Sequence, residues 1–232
     1  MATRYNYTGG IVTNGLVLNL DAAKVDSYPG TGTTWYDLSG NNNNGTLTNG
    51  PTFSGIGKQA SIVFDGSDDY VNVNSSNSLN ITGDLSLNSW IYCTGKNGSY
   101  RTIISKNYAN DNPTYEIGIA NTNTLYWYGN GIAKYGPTTI NLNQWYNLSV
   151  TINSTAKTGV LYINGNVESN MSGLATQLTS SNPLYIGVDA PSGVGEQSFF
   201  IGNIANAQVY NRALSAAEVS QNFNALRGRY GI

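Results

Sequence analysis

An all-β fold of two packed antiparallel sheets is predicted by three features of this chain. Short apolar stretches alternate with polar residues at a period of two. Each stretch is bounded by Gly, Asn, Asp, Ser or Pro, the residues that make turns. Roughly a dozen such stretches occur, too many for one open sheet and suited to two stacked ones. A helical period appears only near the C-terminus. No repeat, linker or charge block divides the 232 residues, so residues 1–10 read as an N-terminal arm and 11–232 as a single domain.

The elements follow in order. "GLVLNLDA" places Leu16, Leu18 and Leu20 on one strand face. "WYDLSGNNNNGTL" then sets four asparagines in a row. Asn is poor inside helices and strands but tolerates left-handed backbone angles and hydrogen-bonds its own main chain, so Asp37 to Gly45 is expected to be an ordered loop. "SIVFDG" and "YVNVN" are two short strands around an acidic turn. "LSLNSWIYC" alternates through Leu85, Leu87, Ile91 and Cys93, and "RTIISK", "YEIGIA", "TLYWYG", "WYNLSVTIN", "GVLYING", "PLYIG" and "FFIGNIANAQVYN" continue the pattern. Asn164-Gly165 marks a type I′ hairpin. In "SAAEVSQNFNALRGR", Ser215 and Glu218 stand at capping-box spacing, and Val219, Phe223 and Leu226 form one stripe of a helix that should close the sandwich.

Composition narrows the function. Charged residues make up 10% of the chain and the net charge is -2, so the basic field that drives nucleic-acid binding is missing. No run approaches the roughly 20 apolar residues of a membrane span, and "ATRYNYTGG" after Met1 lacks the pattern of a secretion signal. The single Cys93 excludes an internal disulfide and reads as a small buried hydrophobe. The absence of histidine removes Ser-His-Asp and Cys-His nucleophile systems and the usual zinc sites. Glycoside hydrolysis needs two carboxyls about 5–10 Å apart, whereas Glu116, Glu168, Glu196 and Glu218 each stand alone in their segments. The chain is therefore expected not to be an enzyme.

The blocks "GLVLNLDA", "SYPGTGTTWYDLSGNNNNGTL", "IVFDGSDDYV", "LSLNSWIY", "WYNLSVTIN", "GVLYING", "LYIG" and "FFIGNIANAQVYNRALSAAEVSQNF" resemble the laminin-G-like, concanavalin-A-like jelly-roll family over residues 14 to 227. That resemblance implies a curved two-sheet jelly roll acting as a binding module for sugars or protein surfaces, with calcium often held at a sheet rim. The start "SYPGTGTTWYDLSGN" is also similar to domains of tailed-bacteriophage structural proteins.

Two loops offer oxygen ligands for calcium: Asp65, Asp68 and Asp69 in one, and Asp37 with its asparagines in the other. Each has a structural alternative, in which Asp37 and Asp65 stabilise turns by accepting backbone N–H bonds. For ligand contact the candidates are Tyr126, Tyr128 and Tyr135. If Leu125 and Trp127 face the core, alternation puts Tyr126 and Tyr128 on an outer sheet face, with Lys134 and Tyr135 nearby. The expected protein is thus a non-enzymatic virion surface component of a tailed phage, a capsid decoration or fibre. Its expected partners are other capsid or tail proteins, cell-surface glycans and further copies of itself, with no nucleic acid and no membrane. The alternative is a carbohydrate-binding or adhesion module on a bacterial surface.

Overall fold

A computed structural model describes residues 10–55, 57, 59–96, 100–109, 112–190 and 198–232. The N-terminal arm up to residue 9 and Glu196 lie outside them.

Sixteen strands of the described residues form two antiparallel sheets of eight. The first runs β14 (Asn166–Ser172), β13 (Thr158–Ile163), β12 (Trp145–Asn153), β7 (Leu85–Cys93), β16 (Ile201–Tyr210), β5 (Ser61–Asp65) and β4 (Thr52–Ser54), with β1 (Leu16–Asp21) also paired to β16. The second runs β11 (Ile132–Thr139), β10 (Thr124–Gly129), β9 (Asn112–Ile119), β8 (Arg101–Ala109), β15 (Leu184–Ile186), β6 (Tyr70–Val73), β3 (Gly45–Thr48) and β2 (Thr34–Trp35). Inward residues of both sheets, among them Leu18, Leu20, Ile62, Leu87, Ile91, Ile104, Ile117, Leu125, Trp127, Leu148 and Val209, meet in one buried cluster, as period-two alternation requires of a sandwich. The fold is the expected all-β jelly-roll sandwich.

Leu16 departs from the expected face. The β1–β16 register shifts between Leu16 and Leu18, and a one-residue irregularity turns the side chain to the other side. Leu16 packs with Val12, Tyr210 and Leu214 instead, and Val17 joins the main core.

The outer face of the first sheet is covered. A buried row of polar side chains crosses four strands: Gln208 Nε2 donates to Asn19 Oδ1 at 3.1 Å, Asn88 Nδ2 donates to Gln208 Oε1 at 2.7 Å, and Asn88 Oδ1 accepts from Asn147 Nδ2 at 2.9 Å and Ser149 Oγ at 2.6 Å. Asn88 is the centre of this row, bonded to Gln208, Asn147 and Ser149. Asn88→Ala leaves Gln208 Oε1 without its donor and Asn147 Nδ2 and Ser149 Oγ with only their longer bonds to Ser89 O and Asn147 Oδ1, and should lower stability by about 1–3 kcal/mol, measured by denaturant unfolding.

Beside that row, α1 (Ala216–Tyr230) docks with Ser215 as its N-cap in a full capping box with Glu218. Leu226 and Tyr230 pack on Trp90 and Ala205, while Phe223 is only partly buried against them. Asn222, on the same side of the helix, accepts from Val12 N and donates to the Tyr210 hydroxyl. The hairpin turn has φ of 52° at Asn164 and 74° at Gly165, both positive as a type I′ turn demands.

A tyrosine-roofed cleft over a buried glutamate

Among the described residues, the helix covers only the first sheet. The outer face of the second, across β8 to β11, carries a cleft of about 420 Å³ lined by Tyr100, Pro113, Glu116, Tyr126, Tyr128, Ala133, Tyr135, Asp189 and Ser198. Strand pairing builds it in two rows. Ser105, Glu116, Tyr128 and Ala133 are successive cross-strand partners, and Thr102, Gly118, Tyr126 and Tyr135 are the next set. Leu125 and Trp127, which alternate with Tyr126 and Tyr128, point into the core.

Tyr126 lies on the expected face but is not the exposed contact residue that alternation suggests. It is only 2% exposed, because Tyr100 packs edge-on against it at 5.0 Å and Tyr135 lies 6.4 Å away on its other side. The Tyr100 and Tyr135 hydroxyls are hydrogen-bonded at 2.9 Å, closing a roof. Below, Gly118 makes room for the ring, since a Cβ there would stand 2.7 Å from Tyr126 Cε1. Tyr135 is the exposed member at 46%, and Tyr128 is half-buried. Lys134 stands opposite Trp127 in the register and so belongs to the other face of its strand, not beside the tyrosines.

Glu116 forms the floor and is 4% exposed. Its Oε1 accepts from the Tyr126 hydroxyl and from Thr102 Oγ1 at 3.3 Å. Its Oε2 is buried, as is Ser105 Oγ, which faces the carboxyl across the strand pair. Burial, and then the negative charge of Asp189, push the Glu116 carboxyl up to about 8. Burial and the neighbouring Glu116 likewise raise Tyr126, and burial together with the Tyr100 hydroxyl raises Tyr135 to about 12. Asp189 Oδ1 accepts from the backbone N–H of Ala190 at 2.7 Å and of Ser198 at 3.3 Å. No local spacing marks Glu116 and Asp189 as a pair, because they are brought together by the pairing of β8 with β9 and β15.

The metal candidates separate. Oxygens of Asp65, Asp68 and Asp69 lie within 4.8 Å of one another. Asp65 Oδ1 accepts from Ser67 N, and Asp69 Oδ2 from Asp65 N, so each carboxylate keeps a second oxygen for an ion. Backbone donors lower the Asp65 carboxyl, while burial and then the two neighbouring carboxylates raise Asp69. Asp37 is not part of this group. Its Oδ1 accepts from Asn19 N and Ser39 N, and its Oδ2 from Ser39 Oγ and Asn43 N. The asparagine run completes that loop: Asn42 takes φ of 58°, Asn43 is buried and bonds Val17 O, Ser76 and Ser78, and Asn44 Oδ1 accepts from Asp37 N. Asn41, through Leu16 O, and Asn43 thus tie the loop to β1, and Asn43 also ties it to the segment after β6.

A second cleft of about 480 Å³ lies on the first sheet beside the helix, lined by Ser54, Gln59, Tyr92, Trp145 and Asn203.

A family described as the concanavalin A-like lectin/glucanases superfamily matches residues 65–220. Among curated proteins none matches. Among solved structures, the chain is similar to the binding domain of Paraclostridial Mosquitocidal Protein 1, with a TM-score of 0.70 and 19% identity over 92% of this chain and 52% of that one. It is similar to Trypanosoma rangeli sialidase, with a TM-score of 0.69 and 15% identity over 93% of this chain and 33% of the enzyme. Domain 4 of AbnA, an extracellular arabinanase of Geobacillus stearothermophilus solved with arabinotriose, aligns over 89% of this chain and 97% of its own length, with a TM-score of 0.66 and 16% identity. The chain thus spans about half of the first of these structures and a third of the second.

Proposed function

The chain belongs to the concanavalin A-like lectin/glucanases superfamily, and from that premise we propose that it is a non-enzymatic surface module that binds glycans through the cleft under Tyr100 and Tyr135. The observation that carries this reading is the pairing of exposed tyrosine surface with buried polar groups on a sheet face that the helix leaves open. Amphipathic rings offer sugar-sized contact area at little rotamer cost, and a few fixed polar groups set orientation. Geometry at Glu116 supports the non-enzymatic reading. Glu116 has the raised pKa of a general acid, but Oε1 is held by Tyr126 and Thr102 and Oε2 is sealed from solvent, so neither oxygen reaches a scissile bond. Purified protein should release no reducing sugar from polysaccharides.

The particle that displays the module is, in this proposal, a tailed phage, on which many weak copies would attach through effective concentration. The resemblance of "SYPGTGTTWYDLSGN" to phage structural domains supports this. A second reading, a bacterial carbohydrate-binding or adhesion module, is supported by the solved relatives, which include a single domain of an arabinanase and chains about two and three times longer than the part that aligns. Mass spectrometry of purified virions separates the two.

Tyr135→Ala with Tyr128→Ala should weaken glycan or cell binding by about tenfold while leaving the melting temperature within a few degrees, because neither ring belongs to the main core. Equal binding by the variant contradicts the choice of cleft. The rim at Asp65, Asp68 and Asp69 is proposed as a calcium site. Millimolar calcium should then raise the melting temperature, and Asp65→Asn with Asp68→Asn should abolish the rise.

A further inference from the structure

We propose that Asp189 makes the cleft reject glycans bearing a carboxylate or sulfate, so that within the glycan-binding reading, on which this rests, its ligand is a sugar without acidic groups. Asp189 is half-buried in the lining of the cleft. Its Oδ1 accepts from the backbone N–H groups of Ala190 and Ser198, and its charge is near enough to raise both Glu116 and Tyr126. No positive group offsets it. No described lysine or arginine lines the cleft. Lys134 lies on the opposite face of its strand, and the Arg101 guanidinium is held on the other side of the sheet by Gly95 O, Ala120 O and Asn123 Oδ1. The stretches 97–99, 110–111 and 191–197, near Tyr100, Pro113 and Asp189 in sequence, contain neither lysine nor arginine.

Glu116 takes no part in this repulsion. Its carboxyl, raised to about 8, is protonated and neutral near pH 7, so the charge that a ligand meets in the cleft is that of Asp189. An acidic ligand must bring its own charge, with no counter-ion to receive it, into a partly dry site that already holds one of the same sign. Repulsion between charges sharing such a site extends over several ångströms and is only weakly screened. The tyrosine ring faces oppose the anion as well, because their quadrupoles present negative density. A neutral sugar meets none of this: its C–H faces lie on the rings and its hydroxyls donate to lining oxygens. Discrimination of this kind comes from a repulsive element against the wrong ligand, beside the contacts that hold the right one.

Two pairs of probes, matched in size and differing in charge, test this by isothermal titration calorimetry near neutral pH and at low salt. One pair is cellotetraose and its C6-carboxylated form, and the other is fully methyl-esterified tetragalacturonic acid and the free acid. In whichever pair binds, the uncharged member is expected to bind at least about tenfold more tightly than the acid. Asp189→Asn, which keeps the Oδ1 acceptor for Ala190 and Ser198, should bring the two members within about threefold of each other. Raising the salt to about 1 M should narrow the gap in the unaltered protein, because repulsion is screened and a steric clash is not. Tyr135→Ala should weaken binding of every probe. Equal or tighter binding of the acid, lost in Tyr135→Ala, overturns the rejection while leaving the glycan cleft standing. A gap that survives both Asp189→Asn and high salt assigns the discrimination to shape and overturns the role of Asp189. Binding untouched by Tyr135→Ala contradicts the cleft itself, and no binding of any probe overturns the selection proposed.

Discussion

Trp90→Ala should destabilise the protein by about 3–5 kcal/mol, the usual cost of emptying a large buried aromatic site. Trp90 is fully buried although it faces away from the sandwich core. Its ring stacks on Tyr230 at 4.1 Å and 19° and on Phe223 at 5.6 Å and 13°, so it is the surface on which the helix lands. The loss should appear in two ways. The unfolding midpoint falls, and the helix loses hydrogen-exchange protection before the sheets do. Phe223→Ala should cost less, because that ring is only partly buried. A midpoint unchanged by Trp90→Ala would show that the helix is not docked on this face.

Glu116→Gln should become the more stable protein as pH rises. The usual carboxyl value of 4.5 is raised to about 8 in the folded state, so between these values the native protein holds a proton that the unfolded chain has released. Stability contributed by this group is complete below about 4.5, falls as pH rises and is lost above about 8. At pH 9 the wild-type protein carries an ionised, poorly solvated carboxylate that Gln removes, an effect on the order of a few kcal/mol. Lys106, lowered to about 8 by burial, gives a slope of opposite sign, but the wild type and variant share it and it cancels in the comparison. Parallel melting curves from pH 5 to pH 9 would contradict the burial assigned to Glu116.

Much of the fold was legible in the sequence because its signals are local. Alternation placed Leu85, Leu87, Ile91 and Cys93 inward, Asn164-Gly165 closed a hairpin, and Ser215 with Glu218 opened the helix. The asparagine run was legible as a loop from the turn chemistry of Asn, although its anchors on Val17, Ser76 and Ser78 were not. The cleft was only half legible. Alternation put Tyr126 and Tyr128 on the outer face, but exposure depends on what lies above a residue, and Tyr100, from the segment before β8, could not be placed over Tyr126 without the strand order. Glu116 looked isolated for the same reason. Its neighbours Thr102, Tyr126 and Asp189 come from other strands and loops, and long-range register is set by the whole sheet.

The most direct test of the cleft as the binding site is to map a bound glycan by NMR chemical-shift perturbation. A soluble oligosaccharide that binds should shift resonances of Tyr100, Tyr128, Tyr135 and Asp189 together, with Tyr92 and Trp145 on the other sheet unmoved. Shifts confined to Tyr92, Trp145 and Asn203 would contradict this and assign binding to the cleft beside the helix.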